Sequence, residues 1–122
     1  MKLRIRGNSI RIRLMQGEVK QFAEEGLVSE TVEFPGNVAF TYSLKVSAGF
    51  EASFQDSHME FCIPKNEANP WIASNEDLAL TASFDLVNGN ALKLLVEKDL
   101  ACLTVRDGED ESDAFPNPKS NC

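Results

Sequence analysis

The feature that most restricts this chain is its period of two. Leu3 and Ile5 alternate with Arg4 and Arg6, and Ile10, Ile12 and Leu14 alternate with Arg11 and Arg13. Val38, Phe40, Tyr42, Leu44 and Val46 alternate with Ala39, Thr41, Ser43, Lys45 and Ser47. The same spacing returns in Phe50-Ala52-Phe54, Met59-Phe61-Ile63, Leu78-Leu80-Ala82-Phe84 and Leu92-Leu94-Val96. Successive side chains of a strand point to opposite faces, so this pattern gives half-buried strands, each with one apolar face. Roughly eight such strands joined by short connections predict antiparallel neighbours, because parallel neighbours need long crossovers.

Two stretches depart from that period. In "QGEVKQFAEEG", 16–26, Val19, Phe22 and Ala23 have helical spacing, and Gly26 stands where a C-terminal cap belongs. In "KNEANPWIAS", 65–74, Ala68, Trp71 and Ile72 share that spacing, but Pro70 lies inside it. A proline there predicts a short helix starting near it, or two turns, rather than one longer helix.

The order of these elements repeats. With an offset of 49 residues, Ile5 falls on Phe54, the turn Gly7-Asn8 on Asp56-Ser57, Ile10 on Met59, Ile12 on Phe61, Leu14 on Ile63, Glu18 on Glu67 and Phe22 on Trp71. The implied units, 3–49 and 52–100, each read strand, turn, strand, short helix, strand, strand. One unit is too small to bury its own sheet face, so each would close the other's. The expectation is a single α+β domain over 1–106. Mainly antiparallel strands would form a barrel-like or two-layer arrangement with two short helices, compatible with internal duplication.

A chain of 122 residues with 43% hydrophobic and 25% charged side chains is large enough for one self-sufficient core. The N-terminal stretch alternates instead of running apolar, so neither a signal peptide nor a membrane span is expected, and the default location is cytoplasmic. Cys62, Cys102 and Cys122 form no Cys-x-x-Cys spacing, which leaves them as free thiols rather than a disulfide framework or a zinc site.

Charge is divided unevenly. Residues 1–20 hold Lys2, Arg4, Arg6, Arg11, Arg13 and Lys20 against Glu18 alone, a balance of +5, whereas the whole chain carries −7 and the remainder therefore −12. Long-range repulsion of polyanions follows, with a local basic strip still able to hold an anion. After Val105 the periodicity ends in "RDGEDESDAFPNPKSNC". Five acids between Asp107 and Asp113 mark 107–122 as an acidic tail, solubilising or partner-binding, which lacks the ligand spacing of an EF-hand.

The candidate sites are few. Arg4, Arg6, Arg11 and Arg13 form an anion or partner site, or else the solvated face of a sheet offset by carboxylates such as Glu30, Glu33, Glu51 or Glu60. No aromatic is interleaved with them for base stacking. Phe22 and Trp71 are helix anchors that could form the lid of a pocket. His58, in "QDSHM", reads as a turn residue with no second histidine to complete a zinc set and no nucleophile elbow beside it. Glu18 and Glu67 stand near helix starts, where a carboxylate favours the dipole and closes a cap. No catalytic set, metal site or cofactor is implied, and an enzyme is the less favoured class.

The opening "MKLRIRGNSIRIRL" with "QGEVKQF", and the ending "LLVEKDLACL…DESDAFPNP", resemble a family of small uncharacterised bacterial proteins. Its members begin Met-Lys-x-Arg-Ile-Arg-Gly-Asn-Ser and end in a Ser-Asp-x-x-Pro-Asn-Pro tail. The resemblance runs the length of the chain and implies a bacterial, cytoplasmic, stand-alone protein, without supplying an activity. "IRIRLMQGEVKQFAEEG" and "MEFCIPKNEANPWIAS" are also similar to the half-units of swapped-hairpin transcription regulators, through Ile63-Pro64-Lys65 ahead of the helix. The functional expectation is a small non-enzymatic binding or interaction protein with a protein partner. The alternative is a nucleic-acid-binding regulator that uses the arginine strip.

Overall fold

Among the described residues, eight strands and two helices follow one another as β1 (Lys2–Arg6), β2 (Ser9–Leu14), α1 (Gln16–Glu25), β3 (Leu27–Phe34), β4 (Val38–Ser47), β5 (Glu51–Gln55), β6 (His58–Pro64), α2 (Lys65–Ala73), β7 (Ala79–Asp85) and β8 (Ala91–Lys98). The computed structural model describes residues 1–76 and 78–99. The expected boundary at 106 and the acidic tail 107–122 lie outside the described residues.

Four antiparallel hairpins are formed by strands that follow one another in sequence: β1–β2, β3–β4, β5–β6 and β7–β8. Tight turns fix their registers. Gly7 opens the β1–β2 turn at φ 55°, and Asp56 and Ser57 close the β5–β6 turn at φ 52° and 61°. Left-handed residues at both central positions of the β5–β6 turn, and a left-handed glycine at the first central position of the β1–β2 turn, match the right-handed twist of the flanking strands.

The hairpins assemble into two four-stranded sheets, β1-β2-β8-β7 and β3-β4-β6-β5. At the centre of each, pairing is parallel: β2 with β8 and β4 with β6. The strands are thus mainly antiparallel, as expected, and only the two central pairings depart from that rule. Tight turns dictate the pairing only of the two strands of a hairpin, whereas β2 and β8 are separated by nearly the whole described chain and β4 and β6 by β5, so neither central pair is joined by a hairpin turn. The architecture is α+β, and of the two arrangements expected it is the layered one. Among the described residues both sheets keep open edges, at β1 and β7 and at β3 and β5, and no barrel closes.

Each helix carries the chain from one sheet to the other. The Met15 N–H donates to Glu18 Oε1 at 2.8 Å, so the first-turn carboxylate closes the cap expected of it. Gly26 ends α1 at φ 70°, its N–H on the Phe22 carbonyl at 2.9 Å. α2 is one continuous helix with Pro70 inside it, where two turns or a later start were expected. The proline is the sixth residue of a nine-residue helix, where it deletes a single backbone donor, and the turn beyond it is held from outside.

The core lies between the sheets and under the helices. Ile12, Leu14, Leu44, Phe61, Ile63 and Val96 from the four central strands are all but fully buried, together with Phe22, Ala68 and Trp71 from the helices. Central strands bury most because both of their edges are paired, which is why the apolar positions of β1 and β7 are less covered than those of β2 and β8. Among the described residues no helix is long and apolar enough to cross a membrane.

Candidate functional site

The four arginines share one face of the first sheet. The register opposes Lys2 to Arg13 and Arg4 to Arg11 across β1–β2, and Ser9, Arg11 and Arg13 to Lys93, Leu95 and Glu97 across β2–β8. Residues directly opposed in a ladder point the same way. Lys2, Arg4, Arg6, Arg11, Arg13 and Lys93 therefore emerge together. Two like-charged pairs, Lys2–Arg13 and Arg4–Arg11, stand in direct opposition, an arrangement that disfavours the sheet unless anions meet it.

Carboxylates do meet it. The Nε atoms of Arg11 and Arg13 both lie 3.2 Å from Glu97 Oε1, and Lys2 Nζ lies 2.8 Å from Asp99 Oδ2. The offsetting acids are thus on and just after β8. Glu30, Glu33, Glu51 and Glu60, expected in that role, belong to the second sheet. Parallel pairing of β2 with β8 decided this.

The second sheet presents a different polar cluster on its outer face. Ser43, His58, Glu60 and Cys62 are brought together by β4–β6 pairing, with Thr41 opposite His58 and Ser43 opposite Glu60. His58, read as a turn residue, is the first residue of β6. Its Nε2 is 2.7 Å from Ser43 Oγ, which donates to Glu60 Oε2 at 3.3 Å. Thr41, Ser53, Gln55, Asp56, His58 and Glu60 line an open hollow of about 490 Å³ beside it.

This network is not arranged for acyl transfer. Ser43 is 1% exposed, and Glu60 accepts from the serine rather than orienting the histidine's other nitrogen. Burial and the charge of Glu60 push the Cys62 thiol up, away from the thiolate a nucleophile needs. Among the described residues no group of three or more His, Cys, Asp and Glu side chains is placed to hold a metal ion. Its chemistry is that of a hydrogen-bonded clasp between β4 and β6.

The match to a family model settles the relationship, covering residues 1–119. The chain belongs to DUF7009, a family of unknown function. No curated protein and no solved structure matches it.

In this DUF7009 chain the two helix aromatics lie within the core. Phe22 and Trp71 meet edge to face, centroids 6.5 Å apart at 71°, with 0% and 1% exposure.

A third cluster joins the chain start to both layers. The Met1 ammonium is held by Glu18 of α1 and Glu30 of β3, and the Tyr42 hydroxyl donates to the Met1 carbonyl at 2.7 Å. Burial pulls the ammonium down, but the two carboxylates outweigh it and leave it above its ordinary 8.0. The ammonium in turn holds Glu30 below its ordinary 4.5, against the effect of burial. Burial, with the charge of Glu30, pushes Tyr42 up to about 12.

The signs follow from linkage. A raised ammonium stabilises fully below pH 8.0 and loses its contribution as pH rises through its folded-state value. A depressed Glu30 stabilises fully above pH 4.5 and loses its contribution as pH falls through its own. The urea midpoint is therefore expected to be level between these limits and to decline outside them. N-terminal acetylation should lower the plateau and flatten the alkaline decline; an unchanged alkaline limb would rule out the ammonium as its source.

Proposed function

We propose that this protein is a non-enzymatic binding module whose basic face on the first sheet takes an acidic partner. The observation that carries the reading is the register. It lines up Lys2, Arg4, Arg6, Arg11, Arg13 and Lys93 on one surface, with two cation pairs in direct opposition, in a chain of net charge −7. Glu97 and Asp99 answer part of this charge, and six cations on one face against those two carboxylates still leave a positive surface that a further anion stabilises. Arginine forks suit carboxylates in bidentate geometry, so an acidic protein segment fits this face. The setting that accompanies the reading is a bacterial cytoplasm, as the terminal motifs imply.

The test is binding of a fluorescent oligo-glutamate peptide to the full chain. Charge pairs at a solvent-screened surface contribute about 0.2–1 kcal/mol each, so Arg11→Ala with Arg13→Ala, which removes two half-buried cations from this face, should weaken binding roughly tenfold at low salt. Equal affinity for the variant and the parent would sink the proposal.

A second reading has one observation in its favour. The two hairpins flanking each helix part to opposite sheets, the swapped arrangement that the sequence likeness to hairpin-swapping regulators implies. The strand order β1-β2-β8-β7 becomes β5-β6-β4-β3 when the halves are exchanged, and Ile12 faces Val96 as Phe61 faces Leu44. This supports internal duplication, and with it a regulator that grips nucleic acid through the arginine strip. Duplex DNA in the same assay distinguishes the two: a regulator's affinity falls linearly on a log-log plot against salt and exceeds that for oligo-glutamate.

A further inference from the structure

We propose that the basic face of the first sheet is occupied in cis by the acidic run 107–113 of the same chain, which makes that run a built-in competitor for the site. The inference rests on the reading of this face as a binding surface, and it names what regulates it.

Three observations converge. The first is where the described chain ends. The Asp99 N–H donates to the Leu14 carbonyl at 2.8 Å, and its carboxylate pairs with Lys2 at 2.8 Å. The last described residue thus lies beside the Lys2–Arg13 pair, at one end of the strip. The second is reach. The eight residue steps from Asp99 to Asp107 span at most about 27 Å, and β1, along which Lys2, Arg4 and Arg6 are strung, is only about 17 Å long. The run can therefore meet any part of the strip, either folded back or stretched along it.

The third is charge. Asp107, Glu109, Asp110, Glu111 and Asp113 place five carboxylates in seven residues, and the strip on β1 and β2 holds Lys2, Arg4, Arg6, Arg11 and Arg13. A short tether gives such a segment an effective concentration of about a millimolar. Individually weak ion pairs suffice at that concentration, and a free acidic partner must displace them before it binds.

Two measurements on the full chain test this. Neutralising the run, with Asp107→Asn, Glu109→Gln, Asp110→Asn, Glu111→Gln and Asp113→Asn combined, should raise affinity for the oligo-glutamate probe about tenfold at low salt, the gain expected when a tethered competitor is removed. Separately, zero-length carbodiimide coupling in the Arg6→Lys variant should join the new ammonium, or that of Lys2, to a carboxylate among 107–113 within the monomer. High salt should abolish this link.

Absence of that link, together with equal probe affinity for the parent and neutralised chains, overturns the inference; links found only between chains overturn it as well. If the probe binds both chains equally and still needs Arg11 and Arg13, the binding reading stands while the cis contact falls. If the intramolecular link forms but the probe binds neither chain, the cis contact stands and the binding reading falls.

Discussion

Trp71→Ala should lower the free energy of unfolding by about 3–5 kcal/mol, and Phe22→Ala by a similar amount. Each ring is the one large side chain that its helix buries, and the two meet edge to face, so that the anchor of α1 is also a wall for the anchor of α2. Removing either leaves a cavity between two helices and the strands beneath, and an aromatic contact goes with it. Because the rings share that contact, the double variant should lose less than the sum of the singles.

Trp71→Phe is the informative control. Among the described residues the buried Trp71 Nε1 has no hydrogen-bond partner, so phenylalanine removes a desolvated donor along with some packing volume. Its loss should stay below about 1.5 kcal/mol, within the range of swaps that nearly conserve volume. Urea denaturation followed by circular dichroism measures all four variants. A loss under about 1 kcal/mol for Trp71→Ala would mean that the ring does not anchor α2.

Alternation made the strands legible because a half-buried strand cannot hide its period. Val38 to Val46 falls within β4, Met59 to Ile63 within β6, and Leu92 to Val96 within β8. Gly26 showed the end of α1 because a left-handed residue there favours glycine. Strand partners were another matter. A period of two says which face of β2 is apolar but not which strand lies beside it, and the parallel partner arrives some eighty residues later. Pro70 misled for a related reason. Local chemistry argues for a break, whereas the helix is sustained by a contact from β8 that no local pattern announces.

The same limit governed the surfaces. The arginine strip could be read directly, since its two strands form one hairpin. Lys93, Glu97 and Asp99 could not be assigned to it without knowing that β8 pairs with β2. Ser43, His58 and Glu60 carried one usable signal, the polar positions 58, 60 and 62 interleaved with Met59, Phe61 and Ile63, which place a histidine and a carboxylate on one strand face. Ser43 joins them only through the parallel β4–β6 register.

Lys98→Met should destabilise the protein by about 2–3 kcal/mol and loosen α2 before the rest of the molecule. The Lys98 ammonium donates to the Trp71 carbonyl at 2.6 Å and to the Ser74 carbonyl, and it sits 5.1 Å from the centre of the Trp71 ring. Hydrogen bonds to a charged donor contribute about 1.5–3 kcal/mol. The need for it lies in the helix: α2 has no basic residue in its last turn and contains Pro70, so its C-terminal carbonyls depend on a cation supplied by β8. Methionine preserves the stem that lies along the ring while removing the charge, which separates capping from packing. Lys98→Arg retains the charge and should recover at least half of the loss. Amide exchange provides the local readout: protection at Ala73 and Ser74 should fall in Lys98→Met while that at Gly26, capped within its own helix, stays unchanged. Equal loss of protection at both helix ends would show global destabilisation instead, and no loss at either would mean that β8 does not hold α2 in place.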